Sequence, residues 1–282
     1  MLILIDGLDE CIGQKDKDLT LKMIFDALPY LRGRIKFLIV SRAEFDIQRS
    51  FNSAATRLGW HLNIIELQGD LGDVRLYLLA NFDRIKQTHP LQAHLPPNWP
   101  SDNEIGRLVE KSSGHFIYAS TVIKYIENDF DQPQERLDII VNLRTSSQNP
   151  YAELDALYFN ILTSSRTECA VLVNIFSIVV LSHGFNNKFF YEWKSDRFME
   201  SVLLLKPTDL ELAILDLKSL ARISPFPQNR KRGFIECFHK SFFDFILDPS
   251  RSKEFHASSA AYTRIAKDCL RLLSDKTDWP QR

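Results

Sequence analysis

Two short apolar runs near the start of the chain predict strands of a parallel sheet. Residues 2–6 read LILID and residues 36–41 read KFLIVS, without the polar alternation of a strand that has one wet face. Between them apolar residues recur at helical spacing, and Pro29 and Gly33 mark the helix end. The pattern therefore predicts a β-α-β unit whose sheet is covered on both faces. The apolar helix positions are Leu21, Ile24, Leu28 and Leu31.

The next stretch extends this α/β region to about residue 90. Residues 61–67 predict a third strand, and Gly69-Asp70 precede a helix with one apolar stripe. The following residues, 88–100, carry four prolines and no period, so they predict a connecting loop. The stripe consists of Leu71, Val74, Leu78, Phe82 and Ile85.

Residues 91–148 predict a helical domain. Ser101 and Glu104 have the spacing of a capping box, and Gly114 is placed to end the helix that they open. A second helix follows from residue 115 to 128, and Pro133 suits the first position of a third helix, which carries Leu137 and Ile140. The second helix has its apolar face at Phe116, Ala119, Val122, Ile123 and Ile126.

Residues 149–250 predict a winged-helix domain. The TSSQNP segment of residues 145–150 marks its start, and Pro150 opens a helix with Leu154, Leu157, Tyr158 and Ile161 inward. Thr208 and Glu211 have the spacing of another capping box, for a helix that continues through Leu220. Ile223 and residues 234–238 flank a polar turn as strands of a hairpin do. Residues 251–282 predict the start of a further helical segment.

Composition excludes several classes of function. The 35 basic and 36 acidic residues leave a formal charge of −1, without the basic excess that drives nucleic-acid or membrane binding. Four widely spaced cysteines favour a reducing, cytoplasmic compartment. The longest apolar stretch, residues 170–181, is too short to span a bilayer and predicts a buried core helix. We expect neither a nucleic-acid partner nor a membrane.

Three carboxylates directly after the first strand are the chief candidates for chemistry. Asp6, Asp9 and Glu10 follow the apolar run, and the carboxyl ends of parallel strands face the crevice where ligands of open α/β folds bind. In nucleotide hydrolysis one such carboxylate holds Mg²⁺ and a neighbouring acid positions water. The alternative is that these acids are solvated caps of a strand-to-helix turn.

The string LILIDGLDE resembles the Walker B segment of NACHT domains, and the likeness continues in order along the chain. KFLIVSRAE is similar to the sensor strand, which implies that Arg42 reaches the terminal phosphate; the alternative is a surface cation. EKSSGHFIYAS is similar to the family's helical domain, although Gly114-His115-Phe116 lacks the proline of the Gly-x-Pro turn beside the base.

Two later segments extend the resemblance to about Cys269. ELDALYFNIL is similar to the opening of the family's winged-helix domain and FHKSFFDFILDPSRS to its end. There His239 matches a histidine aimed at the diphosphate; the alternative is a satisfied histidine at a strand-helix junction. The chain is most similar to fungal NACHT proteins of the STAND class, which act in self/non-self recognition and programmed cell death. The resemblance implies Mg²⁺ and ATP or ADP as cofactors of the intact protein, with Asp6 as the metal acid and Asp9 and Glu10 as catalytic acids.

One expected motif is missing from the sequence. No G-x-x-x-x-G-K-[ST] occurs, and none of the ten glycines is followed by lysine. That loop supplies the backbone cradle, the phosphate-binding lysine and the Mg²⁺-bound hydroxyl. We therefore expect a chain truncated at the Walker B strand by its gene model, by degeneration or by excision, which binds nucleotide weakly and has no NTPase activity alone. The alternative is a non-catalytic interaction module whose partners are its own copies or other signalling proteins.

Overall fold

The computed structural model describes residues 1–11, 14–31, 34–58, 63–67, 69–145, 151–183, 192–226 and 229–274. These residues form a mixed α/β structure that is mostly helical. The chain divides into two compact units, one made mainly of Met1–Leu67 and the other of most of the remaining chain. Within the described ranges, no helix combines the length and the apolar character that crossing a membrane requires.

The first unit is built on a β-α-β core, as the apolar pattern predicts. Strands β1 and β2 pair in parallel, with Leu2 opposite Lys36 and Ile5 opposite Ile39. The elements in order are β1 (Leu2–Ile5), a 3-10 turn (Leu8–Glu10), α1 (Gln14–Ala27), a 3-10 turn (Leu28–Leu31), β2 (Lys36–Ile39) and α2 (Phe45–Leu58). The predicted end of the helix at Gly33 lies outside the described residues.

Only one face of this sheet is covered. A small core joins that face to α1 and α2 and consists of Leu8, Leu21, Ile24, Phe25, Ile47 and Ala54, with Ile5, Phe37 and Ile39 against it. On the other face the side chains of Leu4 and Leu38 are 61% and 48% exposed. The expectation of a sheet covered on both faces is therefore wrong for the described residues, because both helices of the unit pack on the same side.

The predicted third strand is also absent from the part of residues 61–67 that the structure describes. Residues 63–67 have no regular secondary structure, and Ile64, Ile65 and Leu67 are exposed; residues 61 and 62 lie outside the described ranges. The segment has the apolar composition of a strand. A strand also needs a neighbour to pair its backbone groups, and the described β1–β2 sheet contains no third member.

The second unit contains the remaining helices and one hairpin. Its helices before the hairpin are α3 (Leu71–Thr88), α4 (Asp102–Ser112), α5 (Phe116–Ile126), α6 (Pro133–Asn142), α7 (Ala152–Thr163), α8 (Cys169–His183), α9 (Asp196–Leu203) and α10 (Pro207–Asp216). The hairpin is β3 (Ala221–Phe226) and β4 (Asn229–Cys237), and α11 (Lys240–Leu247), α12 (Pro249–Ser252) and α13 (Ser259–Ser274) follow it. Short 3-10 turns occur at Gln92–His94 and Lys253–Phe255.

Helix α3 belongs to the second unit. Val74, Leu78, Phe82 and Ile85 of the predicted stripe are buried in one core with residues of α4 and α5, whereas Leu71 is exposed. Phe82 also makes an edge-on ring contact with Trp99, with centroids 5.2 Å apart. The boundary between the compact units therefore falls before α3, whereas the sequence pattern places it after this helix.

Helix starts follow the predicted rules in two of three places. The Ser101 hydroxyl accepts from the Glu104 amide at 3.3 Å, while the Glu104 carboxylate accepts from the Ser101 amide at 2.6 Å. Pro133 occupies the first turn of α6, as predicted. The capping box at Thr208 and Glu211 is wrong: α10 starts at Pro207, and the Lys206 amide donates to Asp209 at 3.3 Å. Proline sets the helical φ in advance, so the N-cap is Lys206 and the helix begins two residues earlier than predicted.

The predicted hairpin is confirmed. β3 and β4 are antiparallel, with Ile223 opposite Ile235 and Ala221 opposite Cys237. The inward faces of α7 and α8 are confirmed too, since Leu157, Tyr158 and Ile175 are buried. On α5 the prediction for Phe116 is wrong, because this side chain is exposed beside Tyr77. Residues 146–150, which include Pro150, and residues 227–228 lie outside the described residues.

Candidate functional site

The turn after β1 separates the three predicted acids into two environments. Gly7 has a left-handed backbone with φ of 69°, which glycine adopts without steric cost, and a 3-10 turn of Leu8–Glu10 follows. The Leu8 side chain is buried, and its amide donates to the Val40 carbonyl at 3.3 Å. The turn therefore folds back onto the end of β2. Asp9 lies inside the turn, and Asp6 and Glu10 lie on the surface.

Asp9 connects the turn after β1 to the end of β2. Its side chain is 5% exposed. Oδ1 accepts from the Arg42 backbone amide at 3.1 Å, and Oδ2 lies 3.5 Å from Arg42 Nε in an ion pair. Two of the predicted site residues, Asp9 and Arg42, are therefore in direct contact. The Arg42 side chain remains 39% exposed.

Ser41 is a site residue that the sequence pattern did not single out. Its Oγ lies 3.3 Å from Asp9 Oδ1 and 3.1 Å from the Arg42 carbonyl oxygen. A hydroxyl has one proton to donate, so the two acceptors share it. The available signal was the position of Ser41 at the end of the apolar run KFLIVS, beside Arg42.

A second ion pair joins two residues that follow the ends of β1 and β2 along the chain. Lys17 Nζ of α1 lies 2.5 Å from Glu44 Oε2, and the Lys17 side chain is only 11% exposed. The Glu44 carbonyl accepts from the Gln48 amide at 3.0 Å, at the start of α2. This pair links α1 to the residue directly before α2. Sequence reasoning missed it because the two residues are far apart along the chain.

Asp6 and Glu10 provide exposed carboxylates at this edge. Within the described residues, no group of three His, Cys, Asp or Glu side chains is arranged to hold a metal ion. Mg²⁺ in nucleotide sites typically takes one or two carboxylates and completes its shell with water and phosphate oxygens. Asp6 fits that limited role. The residues described here do not form a metal site without a phosphate ligand, and the metal role of Asp6 stays a prediction.

His239 lies in the second unit as the N-cap of α11. Its Nδ1 accepts from the Ser241 amide at 3.1 Å and lies 2.7 Å from Ser241 Oγ. Ser241 Oγ in turn is 2.8 Å from the hydroxyl of buried Tyr158, whose pKa is raised mainly by burial. Because Nδ1 accepts an amide proton, the neutral ring carries its own proton on Nε2. This geometry is the one expected of a structural histidine at a strand-helix junction, and the diphosphate role stays a prediction.

The segment around Gly114 forms a tight backbone contact in the same unit. Ser113 and Gly114 both have left-handed backbones, with φ of 47° and 80°. A Cβ atom on Gly114 would lie 2.6 Å from the Gly69 carbonyl oxygen, and one on Gly69 would lie 2.2 Å from that of Gly114. The α4–α5 turn and the loop before α3 therefore touch through their main chains.

Comparison with models of protein families, with curated proteins and with solved structures found no match.

Proposed function

We propose that this chain is the part of a NACHT-type signalling switch that follows the P-loop, and that it does not hydrolyse nucleotide by itself. The supporting observation is the contact of Asp9 with Ser41 and Arg42 at the carboxyl ends of two parallel strands. This is the edge at which open α/β sheets bind ligands. Arg42 combines partial exposure with a fixed backbone, as a residue that meets an incoming phosphate requires.

The proposed roles come from the resemblance, and the exposure of the side chains is compatible with them. Arg42 meets the terminal phosphate, exposed Asp6 is the carboxylate that would hold Mg²⁺ with the phosphates, and exposed Glu10 is the acid that solvent reaches. His239, in the second unit, is the candidate for the diphosphate. In the intact protein, nucleotide exchange would control self-association or contact with other signalling proteins in the cytoplasm.

The expected affinity for nucleotide is low because this sequence contains no P-loop motif. Charge-assisted hydrogen bonds contribute about 1.5–3 kcal/mol each, and three or four of them amount to roughly 6 kcal/mol. At about 1.4 kcal/mol per tenfold, a micromolar site weakens by about four decades. We therefore expect Mg-ADP to bind with a dissociation constant of about 10 mM, and we expect no hydrolysis by this chain alone.

Two-dimensional ¹H–¹⁵N NMR with Mg-ADP added to millimolar concentration tests the proposal. Shifts at residues 6–10 and 41–44 that grow with concentration up to tens of millimolar, without saturating, are expected, together with their loss in Arg42→Gln. Arg57→Gln is the matched control, because Arg57 lies in the same unit in an exposed pair with Asp26. Absence of any response at these residues would contradict the proposal. A dissociation constant near 10 μM, abolished by Asp6→Ala, would contradict the expected weakness and indicate another phosphate cradle.

The second candidate is a non-catalytic module that self-associates. It is favoured by the uncovered sheet face with Leu4 and Leu38 and by exposed Ile64 and Ile65. Apolar strands without a partner are prone to pair with other chains. Sedimentation velocity distinguishes this candidate: Leu4→Lys should reduce association, whereas Leu76→Lys, at an exposed leucine of α3, should not. A wild-type chain that stays monomeric at all concentrations would exclude it.

A further inference from the structure

The geometry points to Asp9 as a positioning residue that holds Arg42 at the edge of the sheet, and to Glu10 as the acid that remains for water. The resemblance to NACHT domains groups Asp9 and Glu10 together as catalytic acids, whereas their surroundings differ. The inference that Arg42 is held for a phosphate rests on the proposed function. The contacts of Asp9 with Ser41 and Arg42, called the clasp below, do not rest on that function, because they exist without any ligand.

Burial separates the two acids. An acid that positions water must share a surface with that water and with the reacting group. Asp9 is 5% exposed, and both of its oxygens are engaged by protein groups. Glu10 is exposed one residue later, and its amide completes the turn by donating to the Gly7 carbonyl at 2.8 Å. The turn therefore assigns the inward position to Asp9 and the solvent position to Glu10.

The end of β2 needs the acceptor that Asp9 supplies. Pairing with β1 reaches Val40, whose amide donates to the Ile5 carbonyl at 2.8 Å. The chain then leaves the sheet, and Glu44 closes a turn by donating to the Arg42 carbonyl at 2.9 Å. The Arg42 amide donates to the Asp9 carboxylate, and the same carboxylate attracts the Arg42 guanidinium. One side chain thus fixes both the backbone and the side chain of Arg42.

The clasp is tested first in the ligand-free protein, through the exchange of the Arg42 amide and Nε protons by NMR. Asp9→Ala should speed both exchanges about tenfold or more, because the protecting acceptor is lost. Asp9→Asn should leave the amide nearly as protected, since the Asn oxygen still accepts, but speed exchange at Nε, since the charge is gone. Glu10→Gln is the matched control and should change neither. Unchanged Nε exchange in Asp9→Asn would overturn the inference even if Asp9→Ala fails to fold.

The positioning role is tested next by adding Mg-ADP to the same variants. Asp9→Asn should weaken Mg-ADP binding, measured by the chemical shifts of residues 41–44, about three- to tenfold, because Arg42 is no longer oriented. The first unit should stay folded. A wild-type response that Asp9→Asn leaves unchanged would overturn the positioning role. If the wild-type protein protects the Arg42 Nε proton but shows no chemical-shift change with Mg-ADP, the proposed function is contradicted. The contact between Asp9 and Arg42 is then still supported.

Discussion

Backbone conformation restricts which residues the α4–α5 turn accepts. Gly114 needs a positive φ of 80° and lies against the main chain of Gly69, so a side chain at either position has no room. Ser113 tolerates its left-handed backbone with φ of 47° at the end of α4. Hydrogen bonds hold the turn, since the His115 amide donates to the Ser112 carbonyl at 2.8 Å. The requirement for glycine here is therefore both steric and conformational.

Gly114→Ala should destabilise the second unit by about 2–4 kcal/mol, from backbone strain together with a main-chain clash. Gly106→Ala is the matched control, since Gly106 lies within α4 with no atom within 4 Å of the added Cβ. It should stabilise by about 0.5–1 kcal/mol through helix propensity. Urea unfolding of both variants measures the difference. Equal changes in the free energy of unfolding for the two variants would contradict the requirement for glycine at position 114.

The ion pair of Asp216 predicts a pH effect on stability. Burial disfavours ionisation of Asp216, but hydrogen bonds from Arg166 and Ser165 outweigh it and lower its pKa below the ordinary 3.8. A carboxyl with a depressed pKa contributes stability above its unfolded pKa and loses it as pH falls through the folded value. The Tm deficit of Asp216→Asn should therefore shrink by about half or more between about pH 6 and pH 2.5.

Calorimetry across that pH range measures this deficit. Asp83→Asn is the control, because Asp83 lies in an exposed pair with Lys86 on α3. Exposed pairs of this kind contribute about 0–1 kcal/mol, so little deficit is expected at any pH. A deficit of Asp216→Asn that grows as the pH falls would have the wrong sign for a depressed pKa.

Helices and strands differed in how far local sequence determined them. The stripes of α3 and α7 and the hairpin followed the sequence because helix periodicity and turn residues act over short distances. Residues 63–67 do not form a strand because pairing depends on a neighbour that periodicity does not encode.

At the site, the positions of Asp9 and Arg42 were predictable from the ends of the two predicted strands. The inward turn of Asp9, the contact from Ser41 and the Lys17–Glu44 pair depend on φ at Gly7 and on contacts between distant segments.

The start of α10 offers a test at a helix end. Asp209 accepts from the Lys206 amide at 3.3 Å and lies in the first turn, where a negative charge favours the helix dipole. Asp209→Ala should therefore destabilise the second unit by about 0.5–1 kcal/mol. Glu211→Ala, at the position of the predicted but absent capping box, should change stability by less than about 0.5 kcal/mol. Chemical unfolding compares the two variants. A larger loss of unfolding free energy in Glu211→Ala than in Asp209→Ala would instead favour the predicted capping box.

The two compact units differ in the size of their cores. Among the described residues, the first has six buried apolar side chains and an apolar sheet face that is open to solvent. The second has a continuous core that runs from Val74 in α3 to Ile265 in α13. Because hydrophobic stabilisation grows with the apolar area removed from water, the first unit should be the less stable of the two.

Unfolding should accordingly occur in two steps, with the first unit melting before the second. In a Trp60→Phe background, which removes the tryptophan of the first unit, Trp99, buried against Phe82, reports on the second unit. The tryptophan fluorescence should then change at higher denaturant than the first phase of the far-UV circular dichroism. Leu21→Ala and Leu157→Ala are a matched pair of fully buried leucines, one in each unit, and each should cost about 2–5 kcal/mol. Leu21→Ala should move only the first transition and Leu157→Ala only the second. A single transition that both probes share, shifted alike by both variants, would show that the chain unfolds as one cooperative body.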